Sequence, residues 1–291
     1  MRDLCGAAAT GALGVLLLAL TGCPPPAGQA PSSRREAIER VNGNLENIQE
    51  PLQCPAFVSF RFRDDEGKEH AFFGHEARLI YQPPQALLFD VLTLTGTIAR
   101  FGSDATHYWV WLDAPDLRKL WWGRWDRVQR GDERKLPIPP NELFDALMLR
   151  PLPESLEGGQ LPLLRVVGDD HRLIFVRLGA GGQPLGWREL RLDPRPPHMP
   201  LEVIDRSPEG AVDMHAELAS YQRIGADGPY TPRRYVVRWP DAAGQPRAEL
   251  RLDIVGAKFR PALPVEQFEL PTGWQGPVEQ IDAPADGGRE P

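Results

Sequence analysis

The residues with the most specific chemistry stand near the N-terminus. Leu20-Thr21-Gly22-Cys23 closes a short apolar segment. This is the pattern of a bacterial lipoprotein signal, in which the chain is cut before the cysteine and the cysteine thiol takes the lipid. Arg2 supplies a charge to the n-region, partly offset by Asp3, and the apolar stretch runs from Ala7 to Leu20. That is shorter than the roughly 20 residues a spanning helix needs. An ordinary secretory signal with an incidental cysteine is the alternative. Lipidation at Cys23 makes a membrane surface the first expected partner and places the chain in the cell envelope, outside the reducing cytosol.

Catalytic chemistry is much less visible. No serine sits in a Gly-x-Ser-x-Gly elbow, and no Gly-rich phosphate loop links a strand to a helix. His70 and His75 are five apart on a strand, which puts them on opposite sides and prevents a shared metal. Asp169-Asp170-His171 reads as a solvated turn. Glu142 and Asp145 share one face of a helix, as a surface face would. The expectation is therefore no enzyme, no metal and no cofactor, with a hydrolase of dispersed site ranked last.

Composition sets the frame. The formal net charge of −7 gives no basic footprint for nucleic acid. The 31 prolines and 28 glycines suit many strands and turns better than long helices. Of three cysteines, Cys5 leaves with the signal and Cys23 takes lipid, so Cys54 has no intramolecular partner. It reads as a buried small apolar residue, with an intermolecular disulfide or reactive thiol as the other possibility.

The elements follow from periodicity. Residues 1–22 form the signal, and 23–33 form the lipidated cysteine and a Pro-rich tether. Arg34 to Gln49 is a helix, capped by Ser33 with Glu36 three residues on. From Ala56 the period changes to two. Strands are expected at Phe57–Phe62, His70–Tyr81, Ala86–Leu94, Thr97–Phe101, Thr106–Leu112 and Leu117–Trp125. A Pro-led helix covers Pro139 to Leu149, with Leu143, Phe144, Leu147 and Met148 on one face. The meander resumes at Leu163–Val167, Leu173–Leu178, Leu185–Leu192, Ala211–Ile224, Tyr235–Trp239 and Ala248–Ile254, with Phe268–Pro271 as a last short strand. Residues 274–291 read as a disordered tail. A sheet of ten or more strands should curl, and its concave face must then be filled.

Several central strands are apolar on both sides, notably Tyr108-Trp109-Val110-Trp111-Leu112 and Leu87-Leu88-Phe89, where a sheet with one wet face would alternate. Either helices cover one face and a plain core fills the other, or the surplus lines an apolar ligand cavity. The candidate cavity residues are Phe89, Val91, Trp109, Trp111 and Trp122 on strands and Leu143 and Leu147 on the second helix. Arg118, Lys119, Arg124 and Arg127 flank the tryptophans, either to neutralise a headgroup or to snorkel at a rim.

The order of lipobox, helix, meander, Pro-led helix and second meander resembles the LolA/LolB group of lipoprotein carriers and receptors, over roughly residues 34–273. Ile138-Pro139-Pro140-Asn141-Glu142-Leu143, followed by Pro151-Leu152-Pro153, is similar to the lid helix of LolB, and Leu87 to Gly96 to its strand and exposed loop. Phe268-Glu269-Leu270-Pro271-Thr272-Gly273 is similar to the ending of LolA-type chains. The resemblance implies an α+β, mostly antiparallel fold: a half-open curved β-barrel with a helical lid. It also implies a lipid or acylated-protein ligand, a role in lipoprotein or lipid trafficking, and an outer-membrane anchor facing the periplasm. LolB's loop carries a bulky apolar residue at its tip; here Thr95 precedes Gly96, and Leu94 is the nearest apolar candidate. The competing reading is a structural or signalling envelope lipoprotein that uses the curved sheet as a protein-docking surface.

Overall fold

The computed structural model describes residues 31, 33–64, 66–114, 117–127, 136, 138–155, 162–178, 182–241 and 243–282. The expected signal segment, Cys5, Cys23 and most of the tether lie outside them. Helix α1 (Arg34–Glu46) leads into six strands: β1 (Leu52–Arg63), β2 (Glu69–Gln82), β3 (Ala86–Thr93), β4 (Gly96–Ser103), β5 (His107–Ala114) and β6 (Leu117–Arg124). Helix α2 (Pro140–Ala146) separates these from β7 (Leu163–Val167), β8 (Asp170–Leu178), β9 (Pro184–Leu192), β10 (Pro200–Arg206) and β11 (Val212–Ala219). The short β12 (Gln222–Arg223) and β13 (Tyr230–Thr231) pair with each other. Then come β14 (Arg234–Pro240), β15 (Pro246–Ile254), β16 (Lys258–Phe259), a 3-10 turn at Val265–Gln267 and β17 (Val278–Gln280).

One 15-stranded sheet results, in the order β17-β6-β5-β4-β3-β2-β1-β15-β14-β11-β10-β9-β8-β7, with β16 on β1. Two antiparallel meanders are joined where β1 pairs with β15, Val58 opposite Leu252. The edges β17 and β7 do not bond to each other, so the sheet does not close.

The sheet nevertheless curls, and α2 proves it. Phe144 meets Trp125, just past β6, edge to face at 5.6 Å, while the next residue, Asp145, bonds Arg188 on β9 at 2.7 Å. In a flat sheet these strands would stand roughly 48 Å apart at about 4.8 Å per strand. Only a curved sheet lets one short helix touch both. One core fills the concavity: Ile38 and Val41 of α1, Leu143 and Phe144 of α2, and the inward residues of both meanders. Each such aliphatic or aromatic side chain contributes roughly 1.5–3 kcal/mol on burial.

Helix α1 is tied down by two amides. Asn42 exchanges bonds with the backbone of Leu152 (Nδ2 to O 2.9 Å, N to Oδ1 2.7 Å), and Asn44 does the same with Tyr230 (2.9 and 2.7 Å). Ser33 caps the helix, its Oγ accepting from Glu36 N at 3.2 Å. Glu36 itself turns to Arg40, so only half of the expected capping box forms.

Three expectations need correction. Residues 274–282 are no disordered tail: Trp274 packs on Trp111 at 5.6 Å, and β17 adds parallel to β6, Glu279 opposite Trp121. The exposed apolar surface of the first meander supplies the reason. Strand β10 was unexpected, because Pro196, Pro197 and Pro200 make its approach read as loop. Lastly, His70 and His75 share a face. Val58 and Phe60 on β1 pair with His75 and Phe72 on β2, so β2 carries one extra residue there, and the bulge at Gly74 (φ 65°) resets the alternation.

Candidate functional site

Strands β8 to β11 and β14 place alternate residues on the concave face. In β9 the inward set is Arg188, Leu190 and Leu192, and in β10 it includes Val203 and Asp205. Opposite stand α2 and the segment after it. Between them lies a cavity of about 1130 Å3. Its lining includes apolar Phe175, Leu190, Val203, Trp239, Met148 and Leu152 and polar Asn141, Glu142, Asp145, Arg177, Arg188, Asp205 and Ser207. The volume lies just above the usual range for small-molecule sites, and the lining is more polar and more charged than such sites usually are.

Arg188 is the hub. Its guanidinium donates to Asp205 at 2.7 and 2.6 Å from β10 and to Asp145 at 2.7 Å from α2. Burial works against its charge, but the two carboxylates outweigh this and raise its pKa, so it stays a cation. Arg150 donates to Asn141 Oδ1 at 2.8 Å and stands over the rings of Trp125 and Phe144, at 5.0 and 5.1 Å. This network links α2 to the sheet across the cavity. Trp239 and Ser207 line the cavity, but Trp239 Nε1 and Ser207 Oγ are themselves buried away from its open space, without a hydrogen-bond partner among the described residues.

The residues singled out from the sequence are divided by the sheet. Phe89, Val91, Leu143 and Leu147 lie together in the concave core. Trp109, Trp111 and Trp122 lie on the convex side, with Ile80, Leu88 and Leu120, beneath a strap that brings Leu263, Phe268, Leu270 and Trp274 against them. Gly102, opposite Trp109, has no side chain because a Cβ there would stand 2.1 Å from the indole. The indole N–H donates to Phe268 O at 3.3 Å. None of the seven lines the large cavity; Leu147 borders a small one, of about 40 Å3, beneath α1. The correction is one of parity: Trp109 and Trp111 point away from Val110, so one strand cannot aim all of them at one ligand.

Three of the four flanking cations are paired near that strap. Arg118 bonds Asp113 at 3.2 Å and covers Trp274, Lys119 bonds Glu279 at 2.5 Å, and Arg124 bonds Asp126 at 2.8 Å. Leu94 is fully exposed at the β3–β4 turn, where Thr93 Oγ1 donates to Gly96 O at 3.0 Å. Cys54 is a free, buried thiol whose pKa burial pushes up to about 12, an inert core residue. Asp64 accepts from His70 at 2.7 Å in a hairpin. Among the described residues no cluster of three metal-ligating side chains occurs, and no helix is long and apolar enough to cross a membrane.

The sequence reading passed over Arg188, Asp205 and Trp239 as site residues and took Asp145 for part of a surface face, whereas Asp145 turns inward to bond Arg188. A signal for Arg188 was present: it keeps step with Leu190 and Leu192, so alternation alone places it inside.

No protein-family model and no curated protein matches the chain. Solved structures do. A DUF1329 family protein from Desulfovibrio piger is 11% identical, with a TM-score of 0.50, covering 83% of this chain and 98% of that one. A LolA superfamily protein from Nitrosomonas europaea is 14% identical, with a TM-score of 0.47 over 80% and 97%. An outer membrane lipoprotein-sorting protein domain from Vibrio parahaemolyticus is 12% identical, with a TM-score of 0.48 over 80% and 96%. The likeness to the first is one of fold.

Proposed function

We propose that this chain is an envelope lipoprotein, anchored through Cys23, that holds a lipid or acylated protein in the concave cavity of its second meander. The observation that carries this reading is the cavity of about 1130 Å3 under α2, whose lining interleaves apolar side chains with ion-paired ones. An amphiphile can engage both kinds of group. Its chain is stabilised by roughly 0.8 kcal/mol per buried methylene, without strong polar contacts. Helix α2 serves as the lid, held shut by Asp145 on Arg188. Leu94, exposed at a hairpin tip, is the side chain that meets a membrane during loading or release. The short motifs shared with LolB favour trafficking toward the outer membrane, with the domain facing the periplasm.

The segment from Ser33 to Asp282 holds both helices and the whole sheet, so it can be tested alone. Native mass spectrometry of that segment, made in a bacterial periplasm and never exposed to detergent, should show a co-purified amphiphile. Leu185→Asp, at the half-open cavity wall, should remove it. A clean mass with no uptake of added lipid would overturn the reading. It would favour the docking-surface alternative, for which the edge strand β7 speaks, with Leu163, Val166 and Val167 exposed at 59, 44 and 63%.

A further inference from the structure

The two ends of the sheet are finished differently. At one end β6 is covered by β17, which lays Glu279 opposite Trp121 and pairs it with Lys119 at 2.5 Å. At the other end stands β7, and among the described residues no strand bonds its outer side. A bare edge offers a row of N–H and C=O groups to any extended chain, and proteins usually blunt it with proline, lysine or a bulge. Leu163-Leu164-Arg165-Val166-Val167 has none of these. It runs in unbroken register along β8 and leaves Leu163, Val166 and Val167 exposed.

The charges of the convex face state what this edge would accept. Leu163, Arg165 and Val167 stand opposite Ile174, Arg172 and Asp170 of β8 and so share their face. On that face neighbouring strands are joined by an arginine meeting a carboxylate. Arg172 meets Glu189 from β8 to β9 at 2.8 Å, and Arg191 meets Glu202 from β9 to β10 at 2.6 Å. At β7 the series ends on a cation. The Arg165 side chain is 57% exposed, and its partner Asp170 is shared with Arg172. One more strand in the series would bring an acid to Arg165, as β17 brings Glu279 to Lys119. A second copy of this chain does not supply it. Antiparallel overlap of the five residues sets Arg165 against Arg165, and like charges directly opposite are destabilising.

We propose that β7 is a docking edge for an extended segment of a protein partner, added antiparallel, with an aspartate or glutamate opposite Arg165 and apolar residues opposite Leu163 and Val167. The main-chain ladder supplies affinity, and the acid flanked by apolar residues supplies selectivity. No β7 residue lines the large cavity, so the inference stands apart from what the cavity holds.

The test pans a phage-displayed library of random seven-residue peptides on the segment from Ser33 to Asp282. The peptides recovered should carry an acid with an apolar residue two positions away on each side. On Arg165→Glu, lysine or arginine should replace that acid. A synthetic copy of the parent consensus should bind the parent about tenfold more tightly than this variant, because a cross-strand attraction becomes a repulsion. It should also slow amide exchange at 163–167. Should Arg165→Glu fail to fold, Val167→Lys, at an exposed position, takes its place and should weaken the consensus peptide by a similar factor. Recovery of no consensus, a consensus that folded Arg165→Glu leaves unchanged, an affinity indifferent to Val167→Lys, or binding without protection of β7 overturns the inference. Dimerisation of the segment that Val167→Lys abolishes also overturns it, in favour of a second copy.

Discussion

Strands β3 and β9 belong to the same sheet and are covered in opposite ways. In β3, Leu87 to Val91 is buried without a break, on both faces. In β9, Leu190 and Leu192 are buried, while Trp187, Glu189 and Arg191 are partly exposed. The first meander has a core on its concave side and the C-terminal strap on its convex side. Even its one buried charge on the strap side, Asp90, is enclosed by Arg78 at 2.6 Å and by Arg100. The second meander shares that core on its concave side, with the cavity beside it, and has an ion-pair ladder on its convex side: Arg165–Asp170–Arg172–Glu189–Arg206, with Arg191–Glu202 beside it. The difference teaches that aromatic richness marks a filled, doubly covered part of the sheet, while the large cavity lies where the strands alternate with charge.

That division can be broken most forcefully at Trp109. Trp109→Ala should cost about 3–5 kcal/mol, read as a shift in denaturant midpoint, while the folded fraction still takes up lipid. Loss of uptake out of proportion to unfolding would mean that the convex face is part of the site. Next comes the cavity wall. Asp205→Asn leaves Arg188 half-compensated and should cost about 2 kcal/mol. Unlike Trp109→Ala, it should also change ligand uptake, because it loosens the link between α2 and β9. An unaltered affinity would detach that network from the site.

Acid sharpens the comparison on the outer faces. Burial opposes the charge of Glu189, but bonds from Trp187, Arg172 and Arg206 outweigh it and hold its pKa below 4.5. Asp170, Glu202 and Glu249 are lowered by arginine partners in the same way. A lowered folded-state pKa means that the unfolded chain binds the proton more readily. The stability is therefore present above the ordinary carboxylate range and lost as pH falls through the lowered values. Urea midpoints should stay level from pH 7 to about 5 and drop below about 4.5, and Glu189→Gln should blunt the drop. An unchanged acid limb in that variant would remove the second meander's ladder from the cause. The smallest effect belongs to Leu94→Ser, which should shift stability by less than about 0.5 kcal/mol. It should slow lipid transfer to vesicles while leaving equilibrium binding intact.

Much of this architecture was legible. Period-two alternation gave the hairpins, Ser33 marked the start of α1, and Pro139-Pro140 marked α2. Those signals are local, since caps, turns and alternation act within a few residues. The elements that were missed depend on distant partners. Residues 278–280 become a strand because β6 offers them an edge and its tryptophans need cover. Strand β10 forms because β9 and β11 flank it.

The candidate site divides along the same line. The sequence by itself determined which side chains share a face of each strand, and so placed Arg188 inward beside Leu190. It could not say which face would be covered by 260–282 and which would stay open. Nor could it say that Asp145 would meet an arginine 43 residues away, or that Trp239 and Ser207 would share one cavity. Those outcomes depend on the curl of the whole sheet, which sums small twists over fifteen strands and brings together residues that no local pattern connects.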